Sequence, residues 1–143
     1  MPIFSTTEAL ETVLGGFFER LRFVEQAYLI YQIGGTMEFV FRKPDARIRW
    51  IPQPEEAVAP FAVEYGEATA PVLLTFEQDG DTAHRFWLGR INLQQALARQ
   101  QVIARGPLSR AMKLIPHLDE IYPLYADYLH EIGHDEWIGS VRP

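Results

Sequence analysis

Apolar residues recur at Leu10, Val13, Leu14, Phe17, Phe18 and Leu21, the three-and-four spacing of one helix face, behind a Ser5/Glu8 pair in capping-box arrangement. Gly15 and Gly16 interrupt this helix at a cost of about 1 kcal/mol each relative to alanine, so their position predicts close approach by another element. Val24 to Tyr31 predicts a second helical segment, ended by Gly34-Gly35. The period then drops to two. Met37, Phe39 and Phe41 alternate with Glu38, Val40 and Arg42; after Lys43-Pro44-Asp45, Ile48 and Trp50 alternate with Arg47 and Arg49. This is a hairpin, with its arginines expected on the solvated face. The prolines of IPQPEEAVAP predict a loop, Phe61, Val63 and Tyr65 a third strand, and Val72, Leu74 and Phe76 a fourth.

Residues 79–118 read as helix, helix, strand, helix. Asp79 is placed to cap a short helix with Ala83, Phe86 and Trp87 on one face, and Gly89 to end it. Asn92 is placed to cap the next, whose apolar face is Leu93, Ala96 and Leu97, before Gln101 to Arg105 alternates as a strand. Gly106-Pro107 opens a helix carrying Leu108, Ala111, Met112, Ile115 and Leu118, which Pro116 should end or kink. A last helix is expected from Pro123 to Gly133. The first four strands are joined by connections too short for crossover helices, which predicts an antiparallel meander at that end of the sheet. The reading is therefore α+β, a five-stranded, largely antiparallel sheet covered on one face by helices, in a single domain over 1–143.

Charge and composition remove several function classes. A net charge of −6 with scattered basic residues argues against a nucleic-acid partner. No cysteine is present, which excludes a disulfide framework, a thiolate nucleophile and a Cys-based zinc site. The start MPIFSTTEALE has neither the basic region nor the apolar run of a signal peptide, and no window reaches membrane-span length. A soluble, cytoplasmic protein without stable membrane insertion is expected, as monomer or homodimer.

The order and spacing of FWLG (Phe86 to Gly89), RINLQQALARQ, the short strand into RGPL (Arg105 to Leu108) and AMKLIP resemble the sterol carrier protein-2 (SCP2) sterol-binding family, in particular its small bacterial members. The strands before this stretch and PLYADYL (Pro123 to Leu129) extend the resemblance over most of the chain. One departure is visible: where the family usually has glycine between its second helix and the strand, Gln100-Gln101 stand here. The resemblance implies an apolar tunnel between sheet and helices and a non-enzymatic role in lipid binding or transport, with no cofactor.

Pattern alone leaves the bulky residues as either solid core or cavity wall; the resemblance favours the cavity. The candidate lining residues are Phe86, Trp87, Leu93, Leu97, Met112, Ile115, Leu118, Tyr122 and Tyr125, over a sheet floor of Phe39, Trp50, Phe61, Val63, Leu74 and Phe76. The expected ligand is a fatty acid, acyl thioester or sterol-like compound. Two other readings compete with it. His130-Glu131-Ile132-Gly133-His134 matches the H-E-x-x-H of zinc hydrolases, but no histidine follows His134 and Gly133 reads as a helix end. A ligand-free interaction module beside a lipid or aromatic-compound enzyme is the third. His84 and His117 are expected to be solvated or to cap helix ends, and neither has a nucleophile at triad spacing.

Overall fold

Thr6, one residue beyond the expected Ser5, caps the first helix, its Oγ1 accepting the Ala9 N–H at 3.0 Å. In the computed structural model, which describes residues 2–139, α1 (Thr7–Leu10), a π-helical turn (Glu11–Gly15) and α2 (Gly16–Leu21) follow without a break. The paired glycines sit where the predicted close approach occurs. A Cβ on Gly15 would stand 2.3 Å from the Tyr65 hydroxyl, and one on Gly16 2.3 Å from that of Tyr128. The Tyr128 hydroxyl uses this access to donate to the Val13 carbonyl at 2.8 Å. A 3-10 turn (Glu25–Leu29) and α3 (Ile30–Ile33) complete this segment, which Gly34 ends at φ +82°.

The sheet comprises β1 (Met37–Arg42), β2 (Ala46–Pro52), β3 (Phe61–Tyr65), β4 (Leu74–Asp79) and β5 (Val102–Arg105), in the order β3-β2-β1-β4-β5. The antiparallel meander holds only for β1 to β3; β4 lies on the far side of β1 and runs parallel to it, Phe39 opposite Phe76. β5 pairs antiparallel with β4. Residues 66–73 are indeed too few for a crossover helix. Extended, however, they reach roughly 26–29 Å, enough to return along the sheet and cross to its other half.

Arg49 holds that connection, and its burial corrects the solvated-face expectation. Arg47 is exposed, but Arg49 is only 2% exposed. Its guanidinium lies between the strands' carboxylates, 2.9 Å from Glu38 on β1 and 3.2 Å from Glu64 on β3, and donates to the carbonyls of Tyr65, Gly66 and Glu67 where the connection leaves β3. The connection closes at its other end by hydrogen bonds from Leu73 and Leu74 to the Thr36 carbonyl.

Helices cover the opposite face, that of Phe39, Ile48, Trp50 and Phe76. Asp79 stands at the N-cap of α4 (Gly80–Trp87) but makes no side-chain capping bond, while Asp81 accepts the Ile3 N–H at 2.8 Å. Asn92 does cap α5 (Leu93–Ala98), accepting from Gln95 N–H at 3.1 Å. The turn after α5 places Gln100, not glycine, at φ +59°, with Gln101 N–H on the Ala96 carbonyl and Gln100 N–H on that of Leu97. Beyond β5, α6 (Leu108–Ala111) becomes a 3-10 helix (Met112–His117) ahead of Pro116. The last long helix, α7 (Leu118–Glu131), starts before Pro123 and contains it. The proline there forfeits one hydrogen bond to the carbonyl of Asp119, an exposed residue that water can serve. The short α8 (Asp135–Gly139) follows.

His84 joins these helices and is a core residue, not a solvated or capping one. Its side chain is fully buried, Nε2 lying 3.0 Å from the Trp137 carbonyl and Nδ1 2.7 Å from the Tyr125 hydroxyl. A carbonyl only accepts, so Nε2 carries the proton and Nδ1 accepts from Tyr125. Burial pushes the imidazole below its ordinary 6.5, against the Trp137 carbonyl and Asp81, which favour the charged form; Arg85 and Arg90 add to the lowering.

Three outcomes follow for stability. In urea titrations Arg49→Ala should cost about 3–5 kcal/mol, because it leaves the buried Glu38 only the exposed Arg47 at 3.9 Å, while Arg47→Ala should stay within about 1 kcal/mol. Gln100→Gly should stabilise by about 1 kcal/mol, since glycine adopts the left-handed turn without steric cost; a loss would show that the Gln100 side chain contributes more than its backbone costs. Because the unfolded His84 binds a proton more readily than the folded one, stability should fall as pH drops through about 6.5 and level off below the folded pKa. The slope between about pH 7.5 and about pH 5.5 should be shallower in His84→Gln; equal slopes would exclude His84 as the titrating group.

Candidate functional site

Between the helix layer and the sheet, aromatic rings leave two apolar cavities. The first, about 50 Å³, has Met37, Phe39, Trp50 and Phe76 as floor, Phe86 and Trp87 of α4 and Leu93 of α5 on one side, and Ala111, Leu114 and Leu118 on the other. The second, about 40 Å³, reaches toward α2 and α3, where Leu21, Ile30, Ile33 and Phe61 border it. Trp50, Trp87, Leu114 and Leu118 line both. These four side chains form the partition, with the two indoles 6.2 Å apart at their centroids.

The partition is held by its neighbours. Phe61 stacks on Trp50 at 4.8 Å, Phe18 meets it edge-on at 5.0 Å, and Phe39 lies 5.1 Å away. Trp87 is set by its place on α4, where Phe17 and Phe18 each lie 5.6 Å from it. Each cavity is small against the roughly 300–1,000 Å³ typical of ligand pockets. A bulky apolar guest therefore requires partition side chains to move. The side facing Met112–His117 is the softer one: this 3-10 helix contains no buried residue, and its hydrogen bonds are intrinsically poorer than those of an α-helix.

Of the candidate lining residues, Phe39, Trp50, Phe76, Phe86, Trp87, Leu93 and Leu118 border the first cavity, and Phe61 the second. Others stand back from both. Leu74 and Tyr125 are fully buried in the core, the latter held by His84. Leu97, Met112, Ile115, Tyr122 and Val63 are half-buried. Tyr122 packs its ring under Gly89 and against Phe86 at 6.0 Å; desolvation, and then Asp119, raise its hydroxyl pKa above the ordinary value.

Leu114, absent from the expected set, lines both cavities because the 3-10 helix advances three residues per turn and brings it beneath Ala111. Gln78, which also borders the first cavity, was detectable: it continues the inward alternation of Leu74 and Phe76 with a polar residue and is 8% exposed.

The H-E-x-x-H segment does not form a ligand set. α7 ends at Glu131 and Gly133 turns left-handed at φ +85°, so His134 leaves the helix face that His130 occupies. His130 Nδ1 lies 2.7 Å from Asp135, His134 Nδ1 lies 3.1 Å from Glu136, and the His134 ring stacks on Trp137. Glu131 pairs with Arg20 on the surface. Among the described residues no group of three or more His, Cys, Asp or Glu side chains is arranged to hold a metal ion. No helix among them is long and apolar enough to cross a membrane. His117 stands at the N-cap of α7, with Nδ1 3.7 Å from Glu120.

No family model and no curated protein matches the chain. Solved structures do. A conserved protein of Thermus thermophilus, described as possibly a sterol carrier protein, superposes with a TM-score of 0.56 at 17% identity, over 90% of this chain and 90% of that one. Sterol carrier protein domain 2 of Helicoverpa armigera gives 0.53 at 19% identity over 81% and 87% of the two chains, and apo sterol carrier protein 2 of Yarrowia lipolytica 0.51 at 11% over 76% and 92%. At these identities the likeness is one of architecture, and the architecture is that of the sterol carrier protein-2 domains, whose fold this chain adopts.

Proposed function

We propose that the chain is a non-enzymatic carrier that holds a lipid-like molecule, a fatty acid, acyl thioester or sterol-like compound, in the space now divided between the two cavities. The observation that carries this reading is the partition itself. Two apolar cavities meet at Trp50, Trp87, Leu114 and Leu118, so displacement of Leu114 and Leu118 would join them into one site. The names of the solved proteins with this fold, sterol carriers, support the same class of ligand. Affinity would come from burial, at about 0.8 kcal/mol per methylene, which gives a long acyl chain enough gross energy to offset its immobilisation. The same arithmetic makes selection by chain length weak.

Organic extracts of the purified protein should yield lipid by mass spectrometry, and a fluorescent acyl probe should bind saturably. Ala111 is 2% exposed and lines the first cavity, so Ala111→Leu fills space that the ligand would use. Excluding two methylenes should weaken probe binding by about tenfold or more, with folding checked by circular dichroism. Unchanged probe affinity in a folded Ala111→Leu protein, or an absence of both lipid and probe binding in the wild type, would overturn the proposal.

A further inference from the structure

The indole N–H of Trp50 is a buried donor without a hydrogen-bond partner among the described residues, in a side chain only 8% exposed. Buried polar groups are nearly always paired, and leaving one unmade costs more than a typical bond gains. Indole Nε1 can only donate, so what is missing is an acceptor. The surroundings do not supply an oxygen. The rings in contact are Phe61, stacked on the indole face, Phe39, and Phe18, standing at 85° to it. The π face of a phenyl ring is a weaker acceptor than a carbonyl oxygen. A water is poorly suited to an apolar cavity of this kind, because it needs two to four polar partners.

Trp50 also belongs to the partition and lines both cavities, so its indole stands in the wall that a guest joining the two would pass. We infer that the ligand carries a hydrogen-bond acceptor oxygen within its apolar body, a ketone, ester, thioester or quinone carbonyl, and that the Trp50 indole N–H donates to it. This rests on the carrier reading and narrows it. A plain hydrocarbon, or a molecule whose only polar group is a solvated end, would leave the donor unpaired in the bound state. Gln78, bordering the first cavity from β4, adds an amide that can serve a second polar atom of the same guest.

The test compares dipentyl ketone, whose carbonyl lies in mid-chain, with dodecane, equal in heavy atoms, as competitors against a fluorescent acyl probe. In Trp50→Phe the ketone should lose about tenfold in affinity while dodecane changes less than about threefold, because the ring is retained and the donor removed. In wild-type protein, the ketone but not dodecane should move one of three indole N–H signals downfield in nitrogen-15 NMR, with Trp87→Phe and Trp137→Phe identifying the other two. The NMR arm decides the matter if Trp50→Phe does not fold. Equal losses for the two competitors, or no ketone-specific shift of the Trp50 signal, overturn this inference alone. If neither compound displaces the probe and the probe itself does not bind, the carrier reading fails and takes this inference with it.

Discussion

The structure depends on one buried cation. Arg49 sits on the polar face of the sheet between Glu38 and Glu64, and it gathers three consecutive carbonyls, Tyr65 to Glu67, at the point where the chain leaves β3. A desolvated guanidinium demands such partners, since the cost of taking it out of water is recovered only by close, well-directed acceptors. Satisfying it steers the connection back along the sheet, so that β4 enters beside β1 in parallel. From that position β4 leads directly into α4, and Trp87 is delivered over Phe39 and Trp50. The polar side of the sheet thus determines where the apolar site can form on the other.

On the helix side, the governing quantity is ring volume. Rings pack by edges and faces at preferred separations, which limits the ways they can fill the space between sheet and helices. Residual space therefore collects where Trp50, Trp87, Phe39 and Phe76 converge. Its smallness is informative as well. A fold that kept a large dry void would forfeit dispersion contacts on every wall, so Leu114 and Leu118 occupying the middle is the lower-energy arrangement without a guest. On the carrier reading proposed above, a ligand would replace those contacts with its own, and the displaced leucines would repack at modest cost because volume, not a directed bond, holds them.

Much of this was legible in the sequence. Period-two alternation located β1 to β3 and their inward faces, Asn92 and Gly89 marked helix ends, and the order of motifs over residues 79–118 pointed to the fold that the superpositions bear out. What could not be read was decided at long range. Alternation says that Leu74 and Phe76 share a face but not which strand lies beside them, so the parallel β1–β4 pairing was hidden. Arg49 looks like Arg47 in sequence; only the carboxylate opposite it on each neighbouring strand makes it a core residue. His84 beside Phe86 and Trp87 likewise gave no sign that a tyrosine far along the chain would take its Nδ1. Within the site, a helix of period 3.6 was expected through Met112 and Ile115, and a 3-10 period of three substituted Leu114.

That substitution also decides where the site can open. On one flank, α1 and α2 are fixed by tyrosines seated against Gly15 and Gly16, by the Tyr128 bond to Val13 and by the Arg20–Glu131 pair to α7. Movement there would break several contacts together. On the other flank, residues 112–117 present no buried side chain, carry Pro116, which cannot donate to the helix, and rely on short-period hydrogen bonds. The same segment supplies Leu114, and its continuation Leu118, to the partition. Compliance and plug therefore reside in one stretch of chain: a shift of this segment would join the two cavities, and the wall it moves against contains Trp50, whose indole N–H has no partner among the described residues.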